Sequence, residues 1–335
     1  MNPEITIIVP VYNEEANIDE ALTLIRSHML QLGERFEMLI IDDGSKDRTW
    51  TRIEACCRRF EELSAIRLSR NFGKELALCA GLEQANGNAV IVMDADLQHP
   101  PALFSEMVHK WRVEGYEIVE CVKRSRGKEP LQKKWGSALF YLMLNRMSGF
   151  DLHGASDFKL LDRKVVQAWR DMPERSTFFR GMTAWLGFSR AQIEFEVPER
   201  IGSTSRWGLV SLVKLAVQAV TSFSSLPLRF VNFAGVLFLC GAIALGAQTL
   251  YRKLVGEAVT GFTTVILLQL MIGSVIMVSL GIVGEYISAI YNETKHRPRY
   301  VVRERITATI TEETEETEET EETEEIVNEL ICVQK

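Results

Sequence analysis

Ile5-Thr6-Ile7-Ile8-Val9-Pro10-Val11-Tyr12-Asn13-Glu14 is a β-branched run, stopped by a proline, that gives way to a polar cluster. The same pattern recurs downstream. Asn17 to Leu32 has helical spacing, and Glu37 to Ile41 is a second apolar run ending at Asp42-Asp43-Gly44. Thr49 to Leu63 suits a helix and Ser64 to Leu68 a third strand. Lys74 to Ala85 is helical up to Asn86-Gly87, a C-terminal stop signal, and Ala89 to Met93 is a fourth strand ending at Asp94. Strands alternating with helices predict an α/β domain with a mainly parallel sheet covered on both faces. Ligands of such sheets sit beyond the carboxyl ends of the strands. The polar clusters Tyr12-Asn13-Glu14, Asp42-Asp43 and Asp94-Ala95-Asp96 all fall there.

The chain has 335 residues, 47% hydrophobic and 25% charged, which excludes a disordered, fibrous or small disulfide-stapled protein. Its net charge of −7 is concentrated in Thr311 to Glu325, five Thr-Glu-Glu repeats without a basic residue. The rest is net basic. The repeat cannot bury a core, and like charges on adjacent turns disfavour a helix there. No dense basic stripe alternates with aromatics, so nucleic acid is not an expected partner. The six cysteines form no CxxC pair, which points to reduced thiols in a cytoplasm. Residues 1–30 lack the basic start and apolar stretch of a cleavable signal peptide.

Val231 to Leu250 and Phe262 to Gly284 carry no formal charge, and each is long enough to span a bilayer. They predict a two-helix transmembrane hairpin rather than buried soluble helices. Arg206, Lys214 and Arg229 precede it, and Lys295, Arg297, Arg299, Arg303 and Arg305 follow it. The connecting loop holds only Arg252 and Lys253, partly offset by Glu257. The positive-inside rule then puts both ends in the cytoplasm of a multi-pass inner-membrane protein. Trp135 to Met147 and Trp207 to Phe223 are apolar, open with Trp and have flanking cations. They are read as interfacial helices, with ordinary core helices as the alternative. The expected divisions are a catalytic domain over 1–205 and an interfacial helix over 206–228. The hairpin then occupies 229–292 and a cytoplasmic tail 293–335.

Asp94 and Asp96, two positions apart at a strand end, can converge on a hard divalent cation, with Gln98 as a further oxygen donor. Solvated turn carboxylates are the plainer reading of that pair alone. Its context is Pro10-Val11-Tyr12-Asn13-Glu14, Asp42 to Thr49, Arg70-Asn71-Phe72-Gly73-Lys74 and Asp94-Ala95-Asp96-Leu97-Gln98-His99-Pro100. In this order and spacing the segments resemble family-2 glycosyltransferases of the GT-A (Rossmann-like) fold. The apolar hairpin narrows the resemblance to the branch acting on polyprenyl phosphates, which includes bactoprenol glucosyltransferases and dolichyl-phosphate mannose synthases. It covers roughly residues 3–300 and leaves out the acidic repeat.

The resemblance implies roles. Pro10, Tyr12, Glu14, Ile41 and Asp43, with Lys74, Ala95 and Arg206, match positions that hold the nucleotide sugar. Asp94, Asp96 and Gln98 match the site of Mg²⁺ or Mn²⁺, which would stabilise the diphosphate leaving group. Arg124, Lys133 and Ser137 match acceptor positions, the last two four residues apart on one helix face. Lys133 stands where the family has Arg, and loses the bidentate fork. Arg200 and Ser205-Arg206-Trp207 resemble the family's Arg and Ser-Lys-Tyr signature, with Arg206 and Trp207 as departures. Arg200 and Asp157 are the expected catalytic residues. A hydroxyl acceptor would need Asp157 as a base, whereas a phosphate is already ionised and would leave it to orient Lys or Arg.

The resulting expectation is an inverting, metal-dependent transfer of a hexose, glucose from UDP-glucose, to undecaprenyl phosphate. Mannose, N-acetylglucosamine and modified arabinose donors fit the same framework. A polysaccharide synthase with a sugar acceptor would need more spans and a Gln-x-x-Arg-Trp motif, which Thr204-Ser205-Arg206-Trp207 echoes only in part. A membrane scaffold would not need the Asp-Ala-Asp set. Expected partners are the nucleotide sugar, the polyprenyl phosphate, the membrane, further copies of the chain, and a flippase or downstream glycosyltransferase.

Overall fold

The computed structural model describes residues 3–96, 98–123, 156–172, 174, 178–196, 226–255, 261–295 and 297–307. Its centre is an eight-stranded sheet. The strands are β1 (Ile5–Val11), β2 (Phe36–Asp42), β3 (Leu63–Leu68), β4 (Ala89–Val92), β5 (Ile118–Lys123), β6 (Lys159–Asp162), β7 (Arg190–Phe195) and β8 (Val302–Ile306). Their spatial order is β7-β5-β6-β4-β1-β2-β3-β8. β3, β2, β1 and β4 run parallel, as do β5 and β7, while β6 and β8 are antiparallel to their neighbours.

β1 is buried along nearly its whole length because both faces of the sheet are covered. Ile5, Ile7 and Val9 pack with helices α1 (Ile18–Leu32), α2 (Thr49–Cys57) and α4 (Phe104–Arg112). Ile8 faces the other layer, with α3 (Lys74–Gln84), α5 (Arg163–Arg170) and α6 (Phe179–Trp185). α3 approaches β1 closely at Gly81, where a Cβ would lie 2.5 Å from Ile8 Cγ2.

Two element ends differ from the sequence expectation. β1 continues through Pro10 to Val11. Ile8 gives its carbonyl to Met93 N–H on the β4 side, and Pro10 faces that side beyond the end of β4. Its missing N–H therefore costs no ladder bond. α2 ends at Cys57 rather than near Leu63, because the chain turns after it to bury Phe60 and start β3 at Leu63.

Helices α7 (Leu226–Val255) and α8 (Phe262–Thr294) follow. Within them, Pro227–Thr249 and Leu268–Thr294 have mean hydropathies of 2.1 and 1.9, and both are long and apolar enough to cross a membrane. Phe230, Leu237 and Met277 are among many large apolar side chains exposed there. This surface is not part of the domain core. The chain then returns to the sheet: Val302–Ile306, in the stretch expected to be a tail, forms β8 on the outer edge of β3. The Thr-Glu-Glu repeat and both expected interfacial helices lie outside the described residues.

Candidate active site

Parallel packing brings the carboxyl ends of β1, β2, β3 and β4 to one edge, and the loops after them are laced together. Asp43 N–H donates to Val11 C=O (2.9 Å). Asn13 N–H donates to Ser45 Oγ (2.9 Å), and Asn13 Oδ1 accepts from Lys46 N–H (2.9 Å). Glu14 N–H donates to Thr49 Oγ1 (2.9 Å). Asn13 adopts φ 54°, a left-handed conformation that Asn tolerates better than most residues.

Asp43 also ties in the loop after β3. Its carboxylate accepts Phe72 N–H (2.7 Å) and Gly73 N–H (2.8 Å). Burial raises its pKa, and these two bonds pull against that rise. Gly44 is required between the loops. Its φ is +68°, and a Cβ would lie 2.5 Å from the Arg70 backbone carbon. Pro10 and Glu14 are partly buried at this edge, and Tyr12 keeps 37% of its surface exposed. Ile41 and Ala95 are buried, Ile41 within the core against α3, so only their backbone could meet a ligand.

The second half of the site is a charge cluster. Lys74, the first residue of α3, places Nζ 2.5 Å from Asp94 Oδ1 and 2.8 Å from Asp157 Oδ2. Arg180 grips Asp157 with both Nε (2.7 Å) and Nη2 (2.9 Å). The topology explains the meeting. β6 runs antiparallel to β4 with Val92 opposite Lys159, so Asp94 and Asp157, each two residues past that pair, lie side by side. Burial opposes ionisation of Asp157, but Lys74 and Arg180 outweigh it and hold its pKa well below the usual carboxylate range. Burial likewise opposes the charge on Asp94, and the Lys74 ammonium lowers its pKa despite it. The carboxylates in turn raise the pKa of Lys74 against its own desolvation.

Supporting contacts fix these side chains. His99 Nδ1 accepts Asp94 N–H (3.0 Å), while its ring stacks on Phe158 at 4.9 Å. Asp96 Oδ1 accepts Gln98 N–H (3.1 Å) and closes the turn. Beneath the site, Lys159 Nζ meets Glu120 Oε1 (3.0 Å) and Thr183 Oγ1 (3.0 Å), and Glu120 also accepts Ser156 N–H (3.2 Å). Breaking such a buried pair by removing one partner is costly, so it holds Asp157 and α6 in register. Glu75 accepts Phe179 N–H (2.7 Å), and burial, then the charge of Asp157, raises its pKa to about 7.

Of the residues expected from sequence, Tyr12, Glu14, Asp43, Lys74, Asp94, Asp96, Gln98 and Asp157 gather at this edge. Arg124, Lys133, Ser137, Arg200 and Arg206 lie outside the described residues. Arg180 and Glu75 sit in no motif and leave no signal in the sequence, while His99, three residues after Asp96, gains its role only from the fold. Two carboxylates and an amide oxygen are donors that a hard divalent cation takes, but the Lys74 ammonium sits 2.5 Å from Asp94 Oδ1 and would have to give way to the ion there. Among the described residues no three His, Cys, Asp or Glu side chains form a ready metal cluster. Any cation here would therefore lean on Gln98 and on its ligand.

A mainly parallel sheet with one reversed inner strand, and acidic loops converging at its carboxyl edge, defines a GT-A glycosyltransferase domain. The chain belongs to the family described as glycosyl transferase family 2, whose model matches residues 6–169. The uncharacterized glycosyltransferase YkcC of Bacillus subtilis (strain 168) is 38% identical over 89% of this chain and 93% of its own length. A bactoprenol glucosyl transferase of Shigella phage SfV is 33% identical over 90% of this chain and 98% of its own. The solved mannosyltransferase PcManGT from Pyrobaculum calidifontis, in complex with GDP-Man and Mn²⁺, is 18% identical over 84% of this chain and 88% of its own, with a TM-score of 0.41.

Proposed function

We propose that this enzyme transfers glucose from UDP-glucose to undecaprenyl phosphate with inversion, giving the polyprenyl-phosphate sugar and UDP. The observation that carries the reading is the state of Asp157. It is buried and ion-paired to both Lys74 and Arg180, an arrangement suited to orienting cations and not to taking a proton. An acceptor that needs no base is one already ionised, as a phosphate is. Likeness to a bactoprenol glucosyl transferase over 90% of the chain, apolar helices included, favours a polyprenyl phosphate as that acceptor and glucose as the sugar.

An acceptor phosphate oxygen forms a bond to the anomeric carbon as the bond from that carbon to the UDP oxygen breaks, and the electron pair leaves with UDP. Tyr12, Glu14 and Asp43 hold the nucleoside, with the backbone of Pro10, Ile41 and Ala95 lining it. Asp94, Asp96 and Gln98 would hold Mg²⁺ or Mn²⁺, which would offset the charge of the diphosphate. Lys74 and Arg180, fixed by Asp157, offset the carboxylate charge beside it. Arg200 and Arg206 steady the phosphates, and Arg124, Lys133 and Ser137 receive the lipid phosphate. Helices α7 and α8 anchor the domain as a transmembrane hairpin with both ends cytoplasmic, so that the site faces the headgroup plane.

Membranes carrying the protein, given radiolabelled UDP-glucose and undecaprenyl phosphate, should yield label in an organic-extractable lipid. UDP-N-acetylglucosamine and GDP-mannose tested in parallel would identify the sugar. Label appearing in polymer, or in no product from any donor, would overturn the proposal.

A further inference from the structure

The residues after α8 clasp the catalytic domain at two places. β8 pairs with β3, with Arg67 opposite Glu304, and Ser69 N–H donates to Val301 C=O (2.8 Å). Just before β8, Arg299 lies 3.3 Å from Glu83, and the Tyr300 hydroxyl donates to Glu83 Oε2 (2.5 Å). Glu83 and Gln84 end α3, the helix that begins with Lys74. Residues 299–306 thus strap down β3 at its carboxyl end and α3 at the end remote from Lys74.

One side chain crosses from the strap to the loop after β2. Arg67 places Nη1 3.4 Å from Glu304 Oε1, Nε 3.4 Å from Asp42 Oδ2 and Nη2 3.4 Å from the Ser45 carbonyl. Its guanidinium lies over the Trp50 ring at 5.5 Å. The Asp42 Oδ2 contact is an ion pair without a hydrogen bond, and Glu304 Oε1 also lies 3.2 Å from Arg303 Nε, so no single contact fixes the guanidinium, whereas three directions together do. Asp42 is fully buried and its other oxygen accepts Ser45 N–H (3.0 Å). Ser45 in turn receives Asn13 N–H, which joins this loop to the one after β1.

We propose that Glu304, delivered by β8, is a positioning residue for the nucleotide-sugar site. By holding Arg67 it sets Asp42 and Ser45, and through them the loops that carry Asp43 and Tyr12. Donor binding then depends on a residue that follows the apolar hairpin, which joins the membrane anchor to the nucleotide site. The inference rests on the donor reading above.

The test uses the full chain in detergent, with UDP-glucose and undecaprenyl phosphate. Glu304→Gln should raise the KM for UDP-glucose about two- to fivefold, the scale of a part-exposed ion pair. The kcat and the KM for lipid should hold. In an Arg67→Met background the same change should add nothing. Amide exchange over residues 43–49 should quicken in Glu304→Gln, a readout independent of any donor. Faster exchange in a protein whose wild type binds no UDP would keep the coupling and overturn the donor reading. Unchanged exchange and KM in a protein that binds UDP, or additive effects in the double variant, would overturn the coupling.

Discussion

Lys74 and Asp157 lie 83 residues apart in the chain and meet at 2.8 Å, and the same ammonium touches Asp94 at 2.5 Å. One cation thereby joins the carboxylate after β4 to the carboxylate before β6. Asp157 is committed to Lys74 and Arg180 in the resting site. Asp157→Asn keeps the shape and loses the charge. We expect its kcat/KM to fall by less than roughly tenfold, under about 1.4 kcal/mol. A base would cost about 10²–10⁴-fold. A loss of that size, with disappearance of an acidic limb in the pH–rate profile, would assign proton abstraction to Asp157 and count against a phosphate acceptor.

Asp96→Asn, or excess chelator on the wild type, should abolish transfer while leaving the thermal unfolding midpoint in place. Asp96 would supply a carboxylate to the ion, and without the ion the charge on the leaving diphosphate is not offset. Full activity in chelator would remove the metal from the proposed reaction.

Glu75 gives a pH-dependent contribution to stability whose sign is fixed. Its carboxyl titrates at about 7 in the fold, against about 4.3 in an unfolded chain. The contribution is complete below about pH 4 and is lost as pH rises through 7. Between pH 5 and 8 the wild type should lose on the order of 2 kcal/mol relative to Glu75→Gln. Denaturant titrations at the two pH values measure it, and parallel curves for the two proteins would place the Glu75 carboxyl in its ordinary range.

Lys133→Ala and Ser137→Ala should raise the KM for lipid phosphate more than that for UDP-glucose. Losing a charge-assisted contact costs about 1.5–3 kcal/mol, or roughly 10- to 150-fold. Equal effects on both substrates would make this segment a structural helix.

Truncation after Ile306 retains β8 and should leave transfer nearly intact. Truncation after Thr294 removes the strap and exposes the β3 edge, so it should lower both the unfolding midpoint and donor affinity. Equal behaviour of the two truncations would show that β8 contributes nothing to the sheet's stability.

The parallel half of the fold was legible because its signals are local. Glu37 to Ile41 and Ala89 to Met93 are runs followed directly by Asp, and Ile5 to Val9 leads through Pro10-Val11 into the polar cluster Tyr12-Asn13-Glu14. In a parallel sheet such ends share one edge, so Tyr12, Asp43 and Asp94 were expected together before any packing was known. Pro10 shortens the expected strand by two residues, since its cost depends on whether a neighbouring strand needs its N–H.

The α/β class, the Asp-x-Asp turn, the family resemblance and the two apolar helices are written in residue type and short-range period. The contacts of Arg180 and Glu75 at the site, the pairing of Asp157 with Lys74, and the place of Val302–Ile306 at the sheet edge are set by packing. An antiparallel strand such as β6 or β8 is placed by partners far away in the chain, and a buried carboxylate is defined by the charges that strand pairing brings to it. Neither leaves a periodic mark on the residues concerned.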